Sequence, residues 1–390
     1  MLMINTLKMK VKKNRTLLNF YELCFQKDII NLFNSKFNKK VLFSYSTYHF
    51  NKKNYLSHSN YQESNAIAAI FDEMEFRIDI INNNRLTKLD VSSYDIVFGE
   101  GLPLYQAISL HHSPKTIYYG TGSHPFHCSE QSYKRLISFY HKYSFMALSS
   151  LRTSDTRWGL AASMADAVIC IGNEVTKSTF TARGANHVYT VDPTYHPRPD
   201  AEAIGHSKNF DECRKSMLWF GSYGLLHKGL DLAVEAFKNH PDWTLHICGY
   251  TPAEKEFLDA IELPCNAIVH GFINVFDDEF KTLASQCGFV LLPSCSEGTA
   301  TAVITAVGNG AMIPVVTKEC GYDVGSSGYI IELSADDIER QLDQLEQLES
   351  SHLKELAIAA QTDAIQKYTI ENFQTRIKMS LVEIINKRSQ

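Results

Sequence analysis

WFGSYGLLHKGLDLAVEAF, residues 219–237, reads as a β-strand ending in glycine, a short loop, and an amphipathic helix entered through Lys228-Gly229. Gly221 lets the backbone approach a ligand closely, and a lysine beside a helix N-terminus is a natural anion site. Taken alone, the stretch is equally an ordinary strand–helix turn with an exposed lysine. A second stretch, LLPSCSEGTATAVITAVGNGAMIPVVT (291–317), repeats the design. An apolar strand ends at Pro293-Ser294, a polar loop follows, and a small-residue helix begins at Thr299 or Ala300. Gly298, Thr299 and Ala300 then present backbone N–H groups at a helix start, where the dipole stabilises a diphosphate. Glu297 stands at the same mouth, suited to accept hydrogen bonds from sugar hydroxyls. A helix-start acid favoured by the dipole alone is the plainer alternative.

Working outward, β-rich runs alternate with helical stretches on both sides. KVLFSY (40–45), FRIDIIN (76–82), YDIVFG (94–99), KTIYYG (115–120) and DAVICIG (166–172) read as strands. Helical periodicity covers 60–74 and 129–148, and a helix opens at Asn173 with a capping pattern. Asn60 and Glu63 have the spacing of a capping box. The alternation restarts at SMLWFG (216–221) and runs through WTLHICG, AIVHG, GFVLLPS and IPVVT, with a helical tail from about 334. Strand–helix alternation implies right-handed crossovers and parallel sheets covered on both faces. The expected fold is therefore α/β, two Rossmann-like doubly wound domains facing across a cleft. The expected boundaries are a basic extension at 1–39, a first domain at 40–191 and a proline-marked linker at 192–213. A second domain at 214–368 follows, then a helix at 369–390 crossing back to the first domain. Ligands of such sheets bind at the strand C-termini.

With 390 residues, 44% hydrophobic, 21% charged and a net charge of -5, the chain is ordinary for a globular protein and unlike a nucleic-acid binder. Its nine cysteines form no C-x-x-C pair, which fits a reducing cytoplasm. No apolar run is long enough to span a membrane. Residues 1–40 carry nine basic side chains against two acidic ones. That segment reads as a solvated extension or as a peripheral contact with an anionic membrane surface. Serine-hydrolase, zincin and P-loop motifs are missing, and no strict D-x-D occurs, so neither a metal nor a resident cofactor is expected. In IYYGTGSHPFH (117–127), Gly120 and Gly122 form only a partial dinucleotide fingerprint. His124 in this loop reads as a sugar-contacting group or as a turn histidine satisfied locally.

The two quoted segments, in this order and about 70 residues apart, resemble the donor half of retaining GT-B glycosyltransferases, the glycosyl transferases group 1 of bacterial surface-polysaccharide clusters. The resemblance runs through the second half of the chain, including HICG, AIVHGFI and VLLPS. It implies sugar transfer from a nucleotide-diphosphate sugar to a glycan or lipid-linked acceptor, with retention of configuration and without a metal. It implies Lys228, Ser222 and the 298–300 helix start on the diphosphate, Glu297 on the sugar, and His124 orienting sugar or acceptor. Two positions depart from the family. Thr305 stands eight residues after Glu297, where members use a glutamate to hold the ribose, and Ser222 stands where many place an arginine. A hydroxyl forgoes the charge-assisted bond that a carboxylate makes. A catalytically silent GT-B subunit, binding nucleotide or a partner transferase, is the alternative.

Overall fold

The computed structural model of the chain describes residues 27–50, 59–85, 89–110, 114–249 and 252–387. Six strands form the first sheet: β1 (Lys39–Ser44), β2 (Phe76–Ile81), β3 (Ile96–Gly99), β4 (Lys115–Gly120), β5 (Ala167–Ile171) and β6 (Val188–Val191). All pair in parallel, in the order β2-β1-β3-β4-β5-β6. Helices α1 (Ser59–Glu73), α2 (Leu102–Ile108), α3 (Pro125–Tyr143), α4 (Thr156–Met164) and α5 (Glu174–Thr181) connect them. Short α6 (Ala201–Ser207) and α7 (Phe210–Cys213) lead into the second sheet. Its strands are β7 (Ser216–Phe220), β8 (Thr244–Cys248), β9 (Ala267–Gly271), β10 (Phe289–Leu292), β11 (Ile313–Thr317) and β12 (Tyr329–Ile331). Their order is β12-β11-β10-β7-β8-β9, again all parallel. Helices α8 (Leu230–Asn239), α9 (Lys255–Ile261), α10 (Asp278–Gln286), α11 (Thr301–Gly310), α12 (Ala335–Glu346) and α13 (Ser350–Lys367) complete the second unit.

Each sheet reverses its winding once, between β1 and β3 in the first and between β7 and β10 in the second. Such switch points open a crevice at the strand C-termini. The two crevices meet: a Cβ at Gly298, beyond β10, would lie 3.1 Å from Gly122 Cα and from the Thr121 carbonyl, beyond β4. Only glycine fits there.

The last helix, α14 (Ile370–Asn386), returns to the first unit. Its Phe373, Ile377, Leu381 and Ile384 recur at helical spacing and enter the first sheet's core beside Ile67, Phe71 and Val191. Lys115 Nζ donates to the carbonyls of Ile384 and Lys387 at 2.5 and 2.8 Å, placing a cation at the negative helix end.

Three regions differ from the sequence expectation. Residues 192–198 lack regular structure, but most of the rest of the expected linker is helical, because Ile204, Phe210 and Cys213 have a core to enter. The expected extension lies largely outside the described residues, yet Ile29 exchanges backbone hydrogen bonds with Ile80 and so lengthens the sheet beyond β2. The third difference is the largest. Helix α3 begins earlier than the periodicity suggests, at the His124 cap, and ends where Ser144 turns left-handed at φ 51°. Its far half packs on the second unit, not the first: Leu136 and Phe139 belong to the second core, as do Ala147 and Leu151 from the segment that follows the helix. Phe139 stacks on Phe257 at 5.2 Å, and Arg135 Nη2 donates to both carboxylate oxygens of buried Asp231, at 2.7 and 2.6 Å. No helix among the described residues is long and apolar enough to cross a membrane.

Candidate active site at the interdomain groove

Gly229, at φ 68°, occupies the N-cap of α8, and a Cβ there would collide with the Pro293 carbonyl. This close approach laces the loop after β7 to the loop after β10. Cys295 N–H donates to the His227 carbonyl at 2.9 Å, and His227 Nε2 reaches the Ser296 carbonyl at 2.5 Å. Burial lowers the His227 imidazole to about 4, so at neutral pH it is an uncharged strut. Its Nδ1 meets Ser132 Oγ of α3 at 2.8 Å, which joins the first-unit helix to the same scaffold.

The scaffold brings Lys228 and Glu297 together. Lys228 Nζ donates to Glu297 Oε1 at 2.7 Å, and Ser294 Oγ donates to the same oxygen at 3.1 Å. The other oxygen, Oε2, accepts from Arg152 Nη1 at 2.9 Å. Side-chain exposures of 7% for Lys228, 11% for Glu297 and 38% for Arg152 place the two former groups inside and the guanidinium at the groove mouth. Burial alone would raise the Glu297 carboxyl, but the Lys228 ammonium and the Arg152 guanidinium outweigh it and hold the group well below the ordinary carboxylate range. Two cations against one anion leave the site positive at neutral pH.

Behind Glu297, α11 starts at Thr301 with Ala300 as N-cap and no side-chain cap. Its first-turn N–H groups thus add to the positive end of the helix. The mouth is fixed from below: Glu297 N–H and Ala300 N–H donate to the carbonyls of Glu319 and Cys320, each at 2.9 Å, and Thr299 Oγ1 donates to that of Gly321 at 3.1 Å. From above, Thr176 Oγ1 donates to the Gly298 carbonyl at 3.1 Å, and Ser123 and Ser296 share a short hydroxyl contact.

The other singled-out residues fall in different places. Gly221 N–H donates to the Cys248 carbonyl at 3.1 Å, closing the end of β7, and Ser222 beside it is exposed. Thr305 is partly exposed, and its hydroxyl donates to the Thr301 carbonyl at 2.8 Å within its own helix. His124 is buried as the N-cap of α3; Nδ1 accepts from Phe126 N–H at 3.1 Å, so Nε2 carries the proton toward Ser163 Oγ at 3.0 Å. Burial first, then Arg183, lowers this imidazole to about 4. Both ring nitrogens are therefore engaged inside the first unit. Arg152 was not marked by any motif. It lies 145 residues from Glu297, and its aliphatic stem rests where a Cβ on Gly224 would be. Among the described residues no cluster of three or more metal-ligating side chains forms.

Comparison with known proteins places this geometry. The profile of the family described as glycosyl transferases group 1 matches residues 207–363. No curated protein matches the chain by sequence. Among solved structures, TarM of S. aureus is 15% identical with a TM-score of 0.51, over 77% of this chain and 56% of TarM, so the chain spans little more than half of that protein. HepE of Anabaena, solved with UDP and glucose, is 13% identical with a TM-score of 0.57, over 88% of this chain and 100% of HepE. Sucrose-phosphate synthase from Thermosynechococcus elongatus is 12% identical with a TM-score of 0.61, over 89% and 99%. The chain thus has the GT-B architecture of two facing Rossmann-like domains, and its second domain matches the glycosyl transferases group 1.

Proposed function

We propose that the protein transfers a sugar from a nucleotide-diphosphate sugar to a hydroxyl of a glycan or lipid-linked acceptor, in surface-polysaccharide synthesis at the cytoplasmic side of a membrane. The observation that carries this reading is the Lys228–Glu297–Arg152 cluster at the uncapped start of α11, set in the interdomain groove. As the bond from the sugar's anomeric carbon to the phosphate oxygen breaks, its electron pair passes to the diphosphate. Lys228, Arg152 and the first-turn N–H groups of α11 would meet such charge from a fixed scaffold, which is electrostatic preorganisation. Arg152 supplies from the first domain the guanidinium that Ser222 does not. Glu297 holds both cations in register and accepts hydrogen bonds from the sugar. The protein-borne positive charge serves the diphosphate without a divalent ion. Retention of configuration follows from the family resemblance, and UDP is the first nucleotide to test because HepE was solved with it.

The test is turnover of UDP-, GDP- and other nucleotide sugars by the wild-type chain, Lys228→Ala and Arg152→Ala. Each variant is expected to lose about a hundredfold in kcat/KM for the donor. Equal turnover in all three would remove the cluster from the mechanism. A second reading, a silent subunit that binds nucleotide without transferring, draws on Thr305, whose hydroxyl turns into its own helix. Calorimetric binding of UDP or GDP with no turnover on any donor would favour it.

A further inference from the structure

Glu254 ends a short 3-10 turn, Pro252–Glu254, that follows β8. The residue is fully buried, where a carboxylate persists only if its oxygens are engaged. Two backbone donors converge on Oε1: Gly224 N–H at 3.0 Å and Leu225 N–H at 2.9 Å. Both belong to the loop that leads from β7 to Lys228, and that loop touches each cation of the groove cluster. Gly224, at φ 96°, turns its bare Cα to the Arg152 stem, and a Cβ there would lie 2.9 Å from Arg152 Cγ and Cδ. Tyr223 donates its hydroxyl to the Leu151 carbonyl at 2.9 Å, one residue before Arg152. The Gly224 carbonyl accepts from Lys228 N–H at 2.9 Å, closing the turn that carries the ammonium. On the other side, the Leu148–Ser150 turn that precedes Arg152 packs against the Pro252–Glu254 turn.

One carboxylate oxygen thus fixes two peptide planes, and those planes form the wall behind Arg152. The Arg152 side chain is 38% exposed and reaches Glu297 across the groove, so this wall is what narrows its rotamers. Given the transferase reading above, we propose that Glu254 is a positioning residue: it holds the Gly224 loop so that Arg152 keeps the groove's second positive charge on the leaving diphosphate. Buried as it is, Glu254 meets no substrate and acts through the loop alone. The loop needs an acceptor oxygen at that place, whichever group supplies it. Glu254→Gln keeps a carbonyl oxygen at the same reach without the charge. Glu254→Asp keeps the charge but withdraws the oxygen by one carbon–carbon bond, roughly 1.5 Å.

Steady-state kinetics with the nucleotide sugar that the wild-type chain prefers tests the assignment, each rate being normalised to folded protein by circular dichroism. Glu254→Gln is expected to keep kcat within about threefold of wild type. Glu254→Asp should lose about thirtyfold in kcat, with the donor KM changed by less than about threefold. Once Arg152 is alanine, Glu254→Asp should cost no more than about threefold further, because nothing is left to position. Gly224→Ala pushes a methyl into the Arg152 stem without touching Glu254, and should reproduce the kcat loss even if the aspartate variant does not fold. The same thirtyfold loss in both backgrounds, a Glu254→Gln chain as slow as Glu254→Asp, or normal kcat in Gly224→Ala overturns the positioning role and leaves the transferase standing. A wild-type chain that turns over no nucleotide sugar overturns the transferase reading and the positioning role with it.

Discussion

Glu297 and Glu100 occupy equivalent places in the two halves of the molecule, each beyond a strand that borders its sheet's switch point, and they are treated in opposite ways. Glu297 is bridged by an ammonium and a guanidinium and held below the ordinary carboxylate range. Glu100 has an amide as hydrogen-bond donor and is pushed up to about 7 by burial. One fold thus carries a carboxylate that stays charged and another that titrates near neutrality, set apart by their neighbours alone.

The largest expected effect contrasts the two directly. Glu297→Ala leaves Lys228 buried without its carboxylate and should destabilise the chain by about 3–5 kcal/mol. Glu100→Ala removes a group already disfavoured when charged and should cost less than about 1 kcal/mol at neutral pH. Urea unfolding of the two variants checks this, and equal losses would break the contrast.

A smaller effect lies in the pH dependence of stability. Glu63 and Glu100 have folded values of about 7 against an ordinary 4.5, so their favourable contribution is complete below 4.5 and is lost as pH rises through 7. Glu297 has the opposite sign: its contribution is present above 4.5 and is lost only as pH falls through its depressed folded value. The wild-type chain should therefore lose stability between about pH 5 and pH 8, by roughly 3 kcal/mol at most for buried Glu63 and less for partly exposed Glu100. Glu63→Gln should remove most of that slope in urea titrations, and an unchanged slope would assign it to other groups.

The smallest effect concerns the second half of the molecule. Thr305→Glu would restore a carboxylate one helical turn beyond Thr301, where the family resemblance places the ribose contact. We expect the donor KM to fall about fivefold with kcat nearly unchanged, as a charge-assisted bond replaces a neutral one. Steady-state kinetics with the preferred nucleotide sugar measures it.

These contrasts also explain what the sequence revealed. Lys228 and Glu297 were legible because each sits in a short motif whose loop, turn and helix start are local, and parallel alternation then implied the sheets. Arg152 was not, since it reaches Glu297 from a segment without period or motif, and only tertiary packing brings it there. Glu100 was passed over as the residue after a predicted strand: a carboxylate between two glycines shows nothing until the switch point is known. His124 could be read as ligand or cap, and the structure gives it a capping bond on Nδ1 and the Ser163 hydroxyl on Nε2. Helices α2 and α4 and strands β6 and β12 were too short to stand out from their surroundings.

Helix α3 has a consequence for anyone wishing to divide the molecule. Because Leu136, Phe139, Ala147 and Leu151 sit in the second core and Arg135 neutralises Asp231 there, a cut at residues 192–200 would not yield two self-sufficient pieces. The downstream fragment would carry an apolar scar and a lone buried carboxylate, and the upstream one would lack the returning α14. Each half is finished by chain borrowed from the other, so chimeras with proteins of the same architecture must exchange α3 and the segment to Leu151 together with the second sheet.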